Sequence, residues 1–250
     1  MKIGIPKETT ARETRISMTP SVTKQLIKLG FEVVIEKNAG KSSNFLDQDF
    51  IEAGAEIAER AMVYNCDVIA KINPPIKDEL QMMQKGSVLI SLMFAASNPD
   101  LLKNCITNEI SAFSLDAIPR TSLAQSMDVL SSQANLAGYK AVILGAAGMG
   151  KIFPMLMTSA GTIKPSTVVI FGAGVAGLQA IATAKRLGAN VWVSDIRPET
   201  KEQVESLGGK FIEVGDDDSI KTEGGYVKDV SEEFLKKQQE AVTEKVASAD

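Results

Sequence analysis

Gly172, Gly174 and Gly177 stand in the spacing Gly-x-Gly-x-x-Gly, directly after the apolar run Val168–Phe171 and before the helix-forming run Leu178–Leu187. That setting suits a pyrophosphate. Gly172 permits a tight turn, Gly174 lets the backbone come close to the phosphates, and Gly177 lets helix and strand pack closely. The helix that follows offers its unpaired N–H groups and the positive end of its dipole. A second apolar run stops at Asp195, 23 residues beyond Gly172. A carboxylate there accepts hydrogen bonds from the ribose hydroxyls and repels a 2′-phosphate, which favours NAD(H) over NADP(H). Arg197 is near enough to meet a 2′-phosphate, but with Asp195 in the key position it is read as a contact on the adenosine side. Val175 and Ala176 inside the turn, and Ile196 beside the acid, complete the expected nucleotide contacts. Upstream, Gly145-x4-Gly150-Lys151 matches the start of a P-loop, but Ile152 stands where a Ser or Thr must reach magnesium.

The chain contains no histidine. Histidine is the usual acid–base group near neutral pH, and many dehydrogenases use one to take a proton as hydride leaves. Hydride chemistry here must use another base or need none. Cys66 and Cys105 are far apart in sequence and form no metal-ligand pattern, so no metal site and no disulfide framework are expected.

Positioning these residues falls to alternating strands and helices. Strand-like runs at Ile3–Ile5, Phe31–Ile35, Val68–Ile72, Val88–Leu92 and Ile110–Phe113 are separated by amphipathic segments such as Ser21–Leu29, which Gly30 would end. The alternation predicts an α/β protein of two Rossmann-like domains, each a doubly wound parallel sheet with helices on both faces. The first domain is placed at residues 1–136 and the second at 137–250. A helical connector over 122–144 puts Leu123, Met127 and Leu130 on one face. A loop over 161–166 then leads into strands near 168–172, 190–194 and 210–214. The glycine-rich stretches at Gly215 and Gly224 flank a polar segment expected to be a mobile surface loop, and 231–247 reads as a charged, solvated helix. Three strands fall short of the roughly six of a complete nucleotide domain, so the second domain is expected to be incomplete at its C-terminus, with Ser248-Ala-Asp the lead-in to a fourth strand.

The composition is that of an ordinary soluble globular protein: 44% hydrophobic and 23% charged, with a net charge of −4. No broad basic surface exists to hold nucleic acid or an anionic membrane. The opening residues lack the apolar core of a signal peptide, and no run approaches the roughly 20 apolar residues of a membrane helix. A cytoplasmic location without direct membrane insertion is expected.

Several stretches together resemble one family. Lys2-Ile-Gly-Ile-Pro-Lys-Glu8, Arg15–Pro20, Pro119–Tyr139, Ala182–Ala189 and Lys201–Phe211 are similar to alanine dehydrogenases and to the NAD(H)-binding alpha subunit, or domain I, of proton-translocating nicotinamide nucleotide transhydrogenase. The last two stretches resemble the transhydrogenase branch. That resemblance implies direct hydride transfer from NADH to NADP+ held on a partner subunit, coupled to proton movement in a membrane component. The chain would be a homodimer, peripheral to the inner membrane through its partners and inactive without them.

The resemblance also implies roles for residues. Arg120, Gln125 and Asp128 match the loop that holds the nicotinamide, with Ser131 one turn on. Gly225 and Tyr226 match a loop that closes over the nucleotide, and Gln238 on the next helix faces it. The carboxamide of nicotinamide both donates and accepts, so Asp128 can accept from it and Arg120 can donate to it. Alanine dehydrogenase carries a catalytic histidine near the fourth strand of its first domain, where this chain reads Leu89-Ile-Ser-Leu-Met-Phe-Ala-Ala-Ser. Arg15 and Lys71 resemble that enzyme's carboxylate-binding residues, here without their proton-handling partner. An alanine-dehydrogenase-like oxidoreductase is the alternative, and a truncated NAD-binding product without activity is a second. Passing hydride between two nicotinamides moves no O–H or N–H proton, so the missing histidine fits transhydrogenation.

Overall fold

The run Val33-Val-Ile is buried on both of its faces, as a strand must be when helices cover a parallel sheet from both sides. In a computed structural model the chain forms two compact units, Met1–Val129 and Leu130–Asp250. The structure describes residues 1–214, 221–223, 226–229 and 231–250, with 221–223 and 226–229 described as backbone.

In the first unit six strands alternate with five helices. The order along the chain is β1 (Lys2–Ile5), α1 (Pro20–Lys28), β2 (Glu32–Glu36), α2 (Asp47–Glu52), β3 (Glu56–Ala58), α3 (Arg60–Tyr64), β4 (Val68–Ala70), α4 (Lys77–Met82), β5 (Val88–Ser91), α5 (Pro99–Thr107) and β6 (Ser111–Ser114). All strands pair in parallel, in the sheet order β3-β2-β1-β4-β5-β6. This is the expected doubly wound topology, with the winding reversing between β1 and β4. The two-residue period of a strand divides the core into two layers. Val33, Ile35 and Val68 pack with Ile5 and Phe50 on one face. Val34, Ile69 and Leu89 pack with Val63, Tyr64 and Leu80 on the other. Both cysteines are buried in that second layer, and burial raises both thiols above their ordinary acidity range.

Helix α1 starts one residue earlier than expected. Thr19 caps it, accepting from the Val22 N–H, and Gly30 ends it at φ +90° with its N–H bonded to the Ile27 carbonyl at 3.0 Å. Strand β3 adds to the expected set; its three residues are too few to display an alternating pattern.

The second unit corrects the expected connector. Helix α6 spans Val129–Gly148, not 122–144. Before it, residues 122–128 form tight turns, with a 3-10 turn at Gln125–Met127 and Asp128 at ψ 84°, outside the helical region. Leu123 and Met127 are exposed instead of sharing a helical face with Leu130. Helix α6 also runs straight through Gly145, so the segment takes no P-loop form. The loop expected over 161–166 is in part a strand: β7 (Leu156–Thr158) and β8 (Gly161–Ile163) make an antiparallel hairpin. The turn is closed by the Thr158 hydroxyl, which accepts from the Ala160 N–H at 3.2 Å, and by Gly161 at φ +130°.

Strands β9 (Thr167–Phe171), β10 (Asn190–Ser194) and β11 (Lys210–Phe211) form a parallel sheet in the order β11-β10-β9, linked by helices α7 (Val175–Arg186) and α8 (Thr200–Ser206). Its core holds Ile181, Ala184, Val191, Val193 and Val204. The half-buried Trp192 on β10 lies under two cations, with Lys210 Nζ 5.1 Å and Lys245 Nζ 4.9 Å from its ring centre. Strands β12 (Lys221–Glu223) and β13 (Tyr226–Asp229) pair antiparallel. The glycines between them, and 215–220, lie outside the described residues, so the expected mobile loop and lid fall largely there. Helix α9 (Glu232–Ala247), capped by Ser231, brings the chain back to β9, where the Asp250 N–H meets the Thr167 carbonyl at 3.0 Å. Among the described residues no helix is long and apolar enough to cross a membrane.

Two glycines of α6 have opposite surroundings. A Cβ on Gly138 would lie 2.1 Å from the Ala176 carbonyl oxygen, whereas one on Gly145 would meet nothing within 4 Å. Gly138→Ala should therefore destabilise the second unit by about 1–3 kcal/mol through overpacking. Gly145→Ala should stabilise it by about 0.5–1 kcal/mol through helix propensity. Urea denaturation midpoints should move in opposite directions; equal signs would overturn this account of the helix contact.

Candidate functional site

The glycine turn has the geometry its spacing called for. Gly172 adopts φ +87°, and its N–H bonds the Ser194 carbonyl at 2.7 Å. Gly174 is the N-cap of α7 and has open space where a side chain would be. Gly177 is the opposite case, because its Cβ would lie 1.8 Å from the Gly172 carbonyl oxygen. One glycine thus makes the turn, one leaves the backbone surface bare, and one admits the strand's end against the helix. Val175 and Ala176 form the first turn of α7, where backbone N–H groups have no partner within the helix.

Asp195 follows β10 and is buried. Its Oδ2 accepts from the Ala173 N–H at 2.6 Å, which ties the end of β10 to the glycine turn. Arg197 engages the same carboxylate three times: backbone N–H to Oδ1 at 2.8 Å, Nε to Oδ1 at 2.9 Å and Nη2 to Oδ2 at 2.8 Å. Burial pushes the pKa of Asp195 up, but these donors, Arg197 foremost, outweigh it and hold the carboxyl below its ordinary range. A carboxylate has about four acceptor positions, and all are in use. A ribose diol would have to displace the guanidinium of Arg197. Ile196, between the two, is half-buried. Gln238 on α9 lies beside the same strand end, its Nε2 3.3 Å from Ser194 Oγ. The Ala173 N–H and Ser194 carry no signal in the sequence, since neither residue type marks a ligand.

Arg120, Gln125 and Asp128 share one segment of the first unit. It is held by consecutive turns, in which the Thr121 N–H bonds Pro119 O, Ala124 N–H bonds Thr121 O, and Met127 N–H bonds Ala124 O. Arg120 and Gln125 are exposed and Asp128 is half-buried. Ser131 lies in the first turn of α6, in the second unit. Gly225 lies outside the described residues, and Tyr226 is described only as backbone in β13.

At the point where the first sheet reverses, charge is already matched. Glu8 accepts from the Ile72 N–H at 2.5 Å and from Asn73 Nδ2 at 3.1 Å, closing the gap between β1 and β4. The buried Lys71 pairs with the buried Glu79 at 2.6 Å, and Glu79 also holds Arg60 at 2.6 Å. Arg15 grips Glu13 through Nε at 2.8 Å and Nη2 at 2.6 Å. Arg15 and Lys71, the two cations that resemble carboxylate-binding residues, therefore each have a carboxylate of the chain itself.

A left-handed glycine turn between a strand and a helix, closed by an acid at the end of the next parallel strand, defines a Rossmann-like α/β protein. The chain belongs to the alanine dehydrogenase/PNT family, whose N-terminal domain matches residues 4–137 and whose C-terminal domain matches residues 141–250. It is 48% identical over 260 aligned positions to the first part of the NAD(P) transhydrogenase subunit alpha of Rhodospirillum rubrum, covering 100% of this chain and 67% of that protein. It is 42% identical over 250 positions to the NAD(P) transhydrogenase subunit alpha of Haemophilus influenzae, covering 100% of this chain and 49% of that one. The solved structure of transhydrogenase from Sinorhizobium meliloti superposes with a TM-score of 0.83 at 44% identity, over 86% of this chain and 64% of that one. The chain thus spans between about half and two thirds of the length of these relatives.

Arg15 makes a pH-dependent prediction. Its hydrogen bonds lower the Glu13 carboxyl from 4.5 to about 2. A depressed carboxylate contributes stability that is complete above its unfolded value and is lost as pH falls through its folded value. In Arg15→Gln the Glu13 carboxyl should titrate at least one unit higher by ¹³C NMR, and the stability that Glu13 loses on acidification should be smaller and its loss complete at a higher pH. An unchanged Glu13 titration would show that Arg15 is not the cause.

Proposed function

We propose that this chain is the NAD(H)-binding component of a proton-translocating transhydrogenase, passing hydride directly between NADH and NADP+ held on a partner subunit. The observation that carries this reading is the glycine turn, with Gly174 bare, Gly177 packed on Gly172 and Asp195 fastened to the Ala173 N–H. That arrangement suits a dinucleotide with its pyrophosphate at the start of α7 and its ribose near Asp195. The absence of histidine supports transfer between two nicotinamides over oxidation of an amino acid. The names of relatives at 42% and 48% identity agree with it.

When bound, the cofactor supplies the hydride. The chain's part is orientation: Arg120, Gln125 and Asp128 fix the ring face, with Gln125 reaching toward the second nucleotide, because hydride transfer requires donor and acceptor carbons in near contact. Ser131, Gly225, Tyr226 and Gln238 complete the nucleotide contacts. We assign proton movement to a membrane partner, to which this chain is peripheral. We also assign a homodimer, supported by apolar side chains exposed along α6 (Leu136, Tyr139, Leu144) and on the β7–β8 hairpin (Leu156, Met157, Ile163).

Cofactor choice tests the adenosine end. NADH should bind more tightly than NADPH, measured by quenching of Trp192, the chain's single tryptophan. Asp195→Asn should weaken NADH about tenfold, or about 1.4 kcal/mol, and narrow the gap. Arg197→Ala should widen the gap severalfold, because the carboxylate is no longer neutralised. Equal affinities in the wild type would overturn the assignment of Asp195.

Hydride transfer tests the other end. In the full-length protein assembled with its NADP(H)-binding partner, Gln125→Asn should slow transfer at least about tenfold, or about 1.4 kcal/mol, by stopped flow. NADH affinity should change far less. Collapsed affinity with an unchanged saturated rate would make the segment a binding element instead.

A further inference from the structure

The β5–β6 ladder ends where Ser91 faces Ser114. Just beyond it the chain turns through Phe94 at φ +48°, ψ 51°, the left-handed region. An aromatic residue is rare there, and the conformation is strained. Such strain persists only where the surroundings over-determine it.

One carboxylate does most of that. Asp116 Oδ1 accepts from the Met93 N–H at 2.7 Å, the Phe94 N–H at 3.1 Å and the Ser114 hydroxyl at 2.6 Å. From the other side, Asn98 Nδ2 donates to the Met93 carbonyl at 2.9 Å and the Phe94 carbonyl at 3.3 Å. Met93 is 1% exposed, so this tie is anchored in the core. Burial works against ionisation of Asp116, yet its donors outweigh it and keep the carboxyl below its ordinary range. Asp116 lies in the 3-10 turn Leu115–Ala117, and the chain leaves that turn through Ile118 in extended conformation, into Pro119 and Arg120. The exit of β5 and the root of the 119–128 segment are therefore fastened together by a single side chain.

We propose that Asp116 is the positioning residue of the Arg120–Asp128 segment, tying its root to the strained Phe94 turn so that the nicotinamide-orienting side chains have one approach. Asp116 acts through the backbone and hydroxyl groups it holds, and so through the segment. Its effect on transfer rests on the hydride-transfer reading above; its effect on the segment does not.

The test uses Asp116→Ala and the double variant Asp116→Ala/Phe94→Gly. Glycine takes the left-handed conformation without strain, so the double variant should regain the stability that the single variant loses. Neither restores the tie. In the full chain with NADH, amide exchange at Thr121, Ala124 and Met127 should quicken at least tenfold in both variants. In the protein assembled with its NADP(H)-binding partner, saturated hydride transfer should slow at least tenfold in both, with NADH Kd within threefold. Asp116→Asn, which keeps an acceptor oxygen, should stay within threefold of wild type. A double variant with wild-type amide exchange and wild-type transfer rate would reduce Asp116 to a stability role and overturn the proposal. If the assembled wild type transfers no hydride, the functional reading falls, and the amide exchange still decides whether Asp116 holds the segment.

Discussion

The carbonyl oxygen of Gly172 occupies the space that any side chain on Gly177 would need, 1.8 Å from the position of its Cβ. That near-contact sets the second unit. It goes with a left-handed Gly172 directly after β9, and it sets the first turn of α7 against that residue. Once the turn is made, the Ala173 N–H points at Asp195, so the end of β10 is fastened to the same place. Helix, turn and neighbouring strand then share one small surface of backbone. A methyl group at residue 177 would separate all three, and no flexible side chain is available to give way.

The first unit is organised differently, by carboxylates at the ends of its strands. Glu8 bridges the gap between β1 and β4 through the Ile72 N–H, Glu79 gathers Lys71 and Arg60, and Asp116 joins the exits of β5 and β6. Parallel strands leave unpaired N–H groups where their ladder stops, and a buried acid that accepts several of them is well satisfied. The arrangement also uses up the cations. Lys71 and Arg15 each face an acid of the chain itself, so this end of the sheet has no ready-made positive pair for a small organic acid.

How much of this is legible in the sequence depends on the kind of interaction. Strands such as Val33–Ile35 and the Val191–Val193 centre of β10 are readable because burial in a covered parallel sheet demands apolar runs. The glycine turn is readable because backbone conformations, not partners, dictate its residues. The start of α6 is misread because Leu123, Met127 and Leu130 have helical spacing, while local turns at Thr121 and Ala124 and the ψ of Asp128 keep 122–128 out of the helix. The hairpin β7–β8 escapes notice because its strands are exposed and carry no two-sided pattern. The grip of Arg197 on Asp195 cannot be read at all, since it is a choice of rotamer. Asp116 is invisible for another reason: the N–H groups it holds are more than 20 residues away in the chain.

The two buried thiols belong to the core of the first unit, and the single tryptophan belongs to β10 of the second. The unaltered chain therefore carries two optical and chemical reporters that do not overlap. Thiols only 2% and 4% exposed react slowly while the first sheet is closed, which makes alkylation a clock for that unit alone. Emission from an indole beside two ammonium groups follows the second unit alone. Whether the two halves melt together or in sequence can be timed in one cuvette, without adding a label or removing a residue.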